Sequence, residues 1–172
     1  MNQPKMSIAT LNDLPKEAFV KALYGIYEHS PWIPEQAYKE RPFSSIAHLR
    51  QAMQTVIQTA APESQLQLIR EHPELAGKAA IRKELTEDSN REQSGAGLDT
   101  CSPEEYALLN QLNESYKAKF GFPFILAVKG HNRQSVIKHF AERLDNDYAA
   151  EFSTCLMQID KIAEFRLQNV IE

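Results

Sequence analysis

The chain has 172 residues, a mass of 19.6 kDa and a net charge of -4 from 19 basic and 23 acidic side chains. That length suits a single domain with its own core over residues 1–172. The mildly acidic balance argues against a nucleic-acid partner, which needs a basic face, and the lack of an apolar run of about 18 residues argues against a membrane span.

In chain order, residues 1–12 read as a loose lead-in. A helix is expected from Leu14, with Asp13 as its cap, Pro15 in its first turn and Phe19, Leu23, Ile26 and Tyr27 on one stripe. Pro31, Pro34 and Pro42 break the chain. Ser44 opens a second helix through Ile46, Leu49, Met53, Val56 and Ile57. Pro62 restarts a helix that Pro73 stops, which leaves His72 at a helix exit, pushed out of the α region by the proline after it. Residues 77–100 are polar and Gly-bearing, with a short helix expected at Ser89, where Ser89 and Glu92 have capping-box spacing. Ser102 and Pro103 begin a long helix to about Phe120, with Gly121 just past its end. The seven residues 122–128 are the one strand-like run; lacking a partner, they read as a buried extended loop. Helices from Arg133 to about 144 and from Tyr148 to about 169 close the chain. The reading is all-α: a single compact domain of about eight helices with one extended segment near 122–128.

Cys101 and Cys155 lie far apart, outside any metal-binding or redox spacing, and read as small buried apolar residues in a reducing compartment. Neither terminus carries an address signal, so the cytoplasm is the default location. His131 and His139 lack a third ligand at a useful spacing, and no metal is expected. Trp32, Tyr24, Tyr27 and Phe43 read as core or interface. Arg82, Lys83 and Glu84 with Glu87 and Asp88 read as a solvated charged face.

Three features carry candidate chemistry. Arg166 falls on the apolar stripe of the last helix with Phe152, Leu156, Ile159, Ala163 and Val170. A guanidinium there either meets a carboxylate, from a ligand or from an acidic side chain, or packs its stem while its head reaches water. His72, beside Pro73 and flanked by Glu71 and Glu74, is a natural proton carrier near neutral pH. Ser89 and Glu92 suit a cap, but Gln93 is not explained by capping, and a helix start also suits an anionic ligand.

The motifs His29-Ser30-Pro31-Trp32, Arg41-Pro42-Phe43, His72-Pro73-Glu74-Leu75-Ala76-Gly77-Lys78, Ser89-x-x-Glu92-Gln93-x-x-Ala96-Gly97-Leu98, Phe120-Gly121-Phe122-Pro123-Phe124-Ile125 and Lys161-Ile162-Ala163-x-x-Arg166-Leu167 occur in this order. Together, over about residues 14–170, they resemble the 2-oxo-4-hydroxy-4-carboxy-5-ureidoimidazoline (OHCU) decarboxylases of uric-acid degradation. The resemblance implies an all-helical, cofactor-free, typically homodimeric carboxy-lyase that converts the anionic substrate OHCU to carbon dioxide and (S)-allantoin. It implies His72 as the catalytic histidine, helped by Glu92. Gln93 and Ser89 would hold polar groups of the substrate, and Pro73 would shape the pocket wall. The backbone of Phe124, Ile125, Leu126, Ala127 and Val128 would meet the ureido group, and Arg166 would face the negative charge. Two other readings compete: a cyclic amidohydrolase of the same purine pathway, which would want a metal-activated water, and a non-catalytic helical interaction module.

Overall fold

The structure, a computed structural model, describes residues 4–77 and 84–172. Lys78, Arg82 and Lys83, part of the expected His72 motif and charged face, lie outside the described residues. So do residues 1–3 of the expected lead-in.

Among the described residues the chain forms 9 α-helices, two short 3-10 turns and no strand, as the pattern of caps and breaks requires. It divides into two compact units, Met1–Leu68 with Asp160–Glu172, and Ile69–Ile159.

The first unit begins with α1 (Ile8–Asp13), where a lead-in was expected. Ser7 caps it, its hydroxyl accepting from the Thr10 N–H at 3.1 Å. Six residues with one buried side chain, Leu11, are too few for an apolar stripe to show in the sequence. Asp13 therefore ends a helix and does not cap the next. Leu14, before Pro15, is extended, and Pro15 stands at the N-cap position of α2 (Lys16–Ala22). Then come α3 (Trp32–Ala37), a 3-10 turn (Tyr38–Glu40) and α4 (Ile46–Gln58). In α4 the Ser45 hydroxyl accepts from the His48 N–H, and Leu49, Met53 and Ile57 bury one stripe. Phe19 stacks on Phe43 at 6.0 Å. The Asn12 amide brackets Phe43, donating to its carbonyl at 2.9 Å and accepting from its N–H at 2.8 Å. Residues up to Leu68 of α5 (Pro62–Glu71) belong here, as do residues from Asp160 onward in the last helix. Arg50 ties α4 to that helix through Asp160 at 2.6 Å and Glu164 at 3.3 Å, acids one turn apart.

The second unit contains α6 (Glu87–Gly95), a 3-10 turn (Leu98–Thr100), α7 (Pro103–Phe120), α8 (Arg133–Arg143) and α9 (Tyr148–Val170) as far as Ile159. The cap of α6 is Thr86, not Ser89: the Thr86 hydroxyl accepts from the Ser89 N–H at 3.2 Å. Glu87 and Asp88 then occupy the first turn, where the helix dipole favours acids. Ser89 is thereby carried inside the helix and buried. α7 keeps its full capping box: the Glu105 N–H donates to the Ser102 hydroxyl, and the Ser102 N–H to the Glu105 carboxylate. That second bond holds the Glu105 carboxyl below its usual range, with Arg133 assisting. Gly121 ends the helix at φ 77, a left-handed position that glycine takes without strain. Residues 122–128 are irregular and buried, with Phe122, Phe124 and Ile125 all nearly inaccessible. Phe124 stacks on Phe140 of α8 at 3.9 Å, and Tyr116 of α7 meets Phe124 edge-on at 5.4 Å.

Tyr27 gives a direct test of the first unit. It is 1% exposed, and its hydroxyl has no hydrogen-bond partner among the described residues. Burial, and secondarily Asp160, pushes its phenol above the ordinary 10.0. The folded state thus holds this proton more tightly than the unfolded chain does. Its contribution is complete below about pH 10 and is lost as pH rises beyond that value. Tyr27→Phe is expected to be neutral or stabilising at pH 7, because it removes a buried unpaired hydroxyl. It should also flatten the fall in stability above about pH 10, both measurable by urea unfolding across pH.

Candidate active site

His72 leaves α5 in a tight turn, its N–H donating to the Ile69 carbonyl at 3.2 Å, and its side chain is buried. Pro73 is half-buried beside it. The turn beyond is constrained at every residue. Ala76 has φ 51, the left-handed region that costs a non-glycine residue about 1–2 kcal/mol. At Gly77 an added Cβ would lie 2.7 Å from the Glu74 Cβ, so only glycine fits this close approach.

Gln93 holds this strained turn in place. Its Oε1 accepts from the Ala76 N–H at 2.9 Å, and its Nε2 donates to the Glu74 carbonyl at 3.1 Å. Asn113 of α7 donates to the Leu75 carbonyl at 3.0 Å, and Lys117, one turn further along, pairs with the Glu74 carboxylate. Each Gln93 amide group retains bonding capacity, one hydrogen on Nε2 and one lone pair on Oε1. Ser89 lies one turn before Gln93 on the same face of α6 and is equally buried, and half-buried Glu92 adjoins that face. Through Gln93 the structure thus joins α6 to the turn that follows His72 and Pro73.

The segment 124–128 lies in the same unit and is held by groups that the sequence reading passed over. Arg143, at the end of α8, donates from Nη1 to the Ile125 carbonyl at 2.5 Å, and its guanidinium lies 4.2 Å from the Phe124 ring centroid. Its Nε donates to Glu151 at 2.8 Å, and Glu151 is fully buried. The Tyr116 hydroxyl donates to the same carboxylate at 2.6 Å, and Asn146 donates to its other oxygen at 3.0 Å. The carboxylate therefore has three donors, which satisfy its oxygens in the interior. Burial, with Cys155 and Glu151 adding to it, pushes the Tyr116 phenol far up. Burial also raises the Cys155 thiol, against the opposing pull of Tyr116 and Arg143, so this cysteine stays protonated and unreactive at neutral pH. From α9, the Gln158 Oε1 accepts from the Ala127 N–H at 3.0 Å. The Val128 carbonyl accepts from the His131 N–H at 2.9 Å. The Leu126 N–H and C=O carry no hydrogen bond among the described residues, although Leu126 is buried.

Arg143 was detectable by the argument that singled out Arg166. Val136, Phe140 and Arg143 form one buried stripe of α8. Glu151, Cys155 and Gln158 likewise share one arc of α9.

Arg166 lies in the first unit. It is 4% exposed, so its head does not reach water. Its Nη2 donates to Glu28 Oε1 at 2.9 Å and its Nη1 to the Gly25 carbonyl at 3.1 Å, and Glu28 is itself buried. The carboxylate it meets here belongs to an acidic side chain.

A buried imidazole on a strained turn, fixed by a helix that carries a serine, a carboxyl and an amide, is the kind of set that can exchange protons and hydrogen-bond with a small polar ligand. The sequence profile of the family described as OHCU decarboxylase matches residues 12–168. The chain is 40% identical over 166 residues to a 2-oxo-4-hydroxy-4-carboxy-5-ureidoimidazoline decarboxylase of Halalkalicoccus jeotgali, covering 96% of this chain and 92% of that one. It is 42% identical over 163 residues to the protein of the same name from Haloferax volcanii, covering 95% of each. A solved structure of (S)-allantoin synthase superposes with a TM-score of 0.78 at 26% identity, covering 96% of this chain and 54% of that one. A structure of OHCU decarboxylase in the presence of (S)-allantoin, at 24% identity and a TM-score of 0.65, shares the fold and covers 80% of this chain and 89% of that one. The chain therefore belongs to the OHCU decarboxylase family.

The buried carboxylate of the second unit makes a sharp test. Glu151→Ala leaves Arg143 charged and buried without its partner, and is expected to lower stability by about 3–5 kcal/mol. Denaturant unfolding monitored by circular dichroism measures this, and a loss below about 1 kcal/mol would mean that the pair is not what holds the segment.

Proposed function

We propose that this protein is a carboxy-lyase that decarboxylates OHCU to (S)-allantoin in urate degradation, with His72 as the group that moves protons. The observation that carries the assignment of His72 is its placement: a buried imidazole on a strained turn that Gln93 and Asn113 hold through three hydrogen bonds. Family membership supports the reaction.

The substrate's chemistry says what the site must supply. Its carboxyl-bearing ring carbon also carries a hydroxyl and adjoins a carbon–nitrogen double bond. When carbon dioxide leaves, the released electron pair forms a double bond between the two ring carbons, and the ring nitrogen takes up a proton. The resulting enol then loses its hydroxyl proton while the ureido-bearing carbon gains one. That last proton sets the stereocentre. The ring serves as its own electron sink, so the chemistry asks the protein for orientation, charge stabilisation and one directed proton.

His72 handles that proton, with the Glu92 carboxyl positioned to assist it. Ser89 and the remaining bonding capacity of Gln93 hold the ring's polar groups, and Pro73 forms a wall. The backbone of residues 124–128 meets the ureido arm through the groups its side-chain anchors leave over, which include the N–H and C=O of Leu126. Arg166, whose Nη2 is bonded to Glu28, is the cation that the family resemblance assigns to the substrate's negative charge. A homodimer, as the family resemblance implies, and the cytoplasm as default location complete this reading. Among the described residues, no helix is long and apolar enough to cross a membrane.

Two substitutions test the assignment on freshly generated OHCU, with the circular dichroism of the product as readout. Spontaneous decay gives racemic allantoin, so enantiomeric excess reports catalysis. His72→Asn is expected to lower turnover by about 10²–10⁴-fold and abolish the excess while helical content stays intact; near-normal turnover refutes the role. Glu92→Ala should lose most activity with little change in melting temperature. A purely thermal defect would reduce Glu92 to a structural residue of α6.

A further inference from the structure

In extended backbone, alternate residues turn their N–H and C=O groups to opposite sides. Residues 125 and 127 are both held by side chains of the two helices that follow. The Ile125 carbonyl takes the Arg143 guanidinium at 2.5 Å, and the Ala127 N–H gives its hydrogen to Gln158 at 3.0 Å. With both odd-numbered residues anchored towards α8 and α9, an extended course through this segment turns the N–H and C=O of Leu126 the other way. Both are among the backbone groups of this segment that carry no hydrogen bond among the described residues. One donor and one acceptor on a single residue match the paired carbonyl and N–H of a urea.

We propose that Gln158 and Arg143 are positioning residues for catalysis: they fix the twist of the 125–127 backbone so that Leu126 reads the ureido arm of the substrate. This rests on the OHCU decarboxylase reading above and adds to it two residues that do not themselves touch the reacting atoms. The two anchors differ in kind. Arg143 is part of the buried pair with Glu151 and also holds the fold. Gln158 is half-buried, and its Oε1 bond to Ala127 ties the helix to this segment alone. Gln158 is therefore where positioning separates from stability. Removing its acceptor frees Ala127 to turn, and the cost falls on binding of the ureido arm and much less on the bond-breaking step. A KM effect that exceeds the kcat effect is the signature.

The experiment compares Gln158→Met, which keeps length and helix propensity but loses the acceptor, with Gln158→Glu, which keeps an acceptor oxygen for the Ala127 N–H. Both are assayed for KM and kcat on OHCU, and for binding of (S)-allantoin, an uncharged ureido compound, by calorimetry. Gln158→Met is expected to raise KM and the allantoin Kd by about tenfold or more, with kcat changed by less than about threefold. Gln158→Glu is expected to stay within about threefold of the parent for allantoin. Amide hydrogen exchange at Ala127 should quicken in Gln158→Met and remain slow in Gln158→Glu. If Gln158→Met fails to fold, Gln158→Ala replaces it with the same expected outcome, since alanine is the best helix former. Unchanged KM and Kd in the acceptor-less variant overturn the proposal, as does equal damage in Gln158→Glu. In both cases the parent enzyme's enantiomeric excess leaves the functional reading standing. A parent protein that yields only racemic allantoin overturns the reading, and the proposal with it.

Discussion

Buried backbone must find hydrogen-bond partners, and a lone extended segment in a helical protein has no neighbouring strand to supply them. Residues 122–128 meet that constraint with side chains in place of a strand. Arg143 takes the Ile125 carbonyl, Gln158 takes the Ala127 N–H, and the turn to His131 takes the Val128 carbonyl. A guanidinium used this way needs a counter-charge. Glu151 supplies it, and Tyr116 and Asn146 then satisfy Glu151. The depth of this network follows from the first requirement. The groups that remain without a partner among the described residues, those of Leu126 included, are the ones proposed above to meet a ligand.

The turn after His72 works by the same logic on a smaller scale. Its left-handed Ala76 and its crowded Gly77 are conformations that a free chain would abandon. Three side-chain bonds from Gln93 and Asn113 make that conformation the favourable one. Asn113 and Tyr116 stand one turn apart on α7. One helix face therefore bonds the histidine turn through the first residue and packs against Phe124 through the second. The rigidity that the proposed proton delivery demands thus begins in the side chains that hold this turn.

The sequence made most elements legible through their caps and breaks. Ser102, Pro103 and Gly121 bounded α7 correctly, because capping chemistry is local and each residue there acts on its immediate neighbours. Reading failed where the local signal was ambiguous or short. Ser89 has capping spacing but Thr86 does the capping, since two acidic residues ahead of Ser89 suit the dipole better inside the first turn. α1 is too short to show a stripe. The wheel flagged Arg166 yet left its partner open, because helical periodicity specifies a direction and not what lies there. Glu28 is 138 residues away in sequence.

Sequence alone determined the helical class, the position of His72 before a proline, and the grouping of Ser89, Glu92 and Gln93 within one turn of a helix. These are consequences of spacing and of dihedral limits that act between near neighbours. Tertiary structure alone decided that Gln93 fastens the histidine turn, that Glu151 pairs with Arg143 in the interior, and that Leu126 has polar groups to offer. Such pairings join residues 17 to 19 positions apart or 8 positions apart across a bend. They arise only when packing has removed water and each buried polar atom must find a partner among whatever the fold has brought within reach.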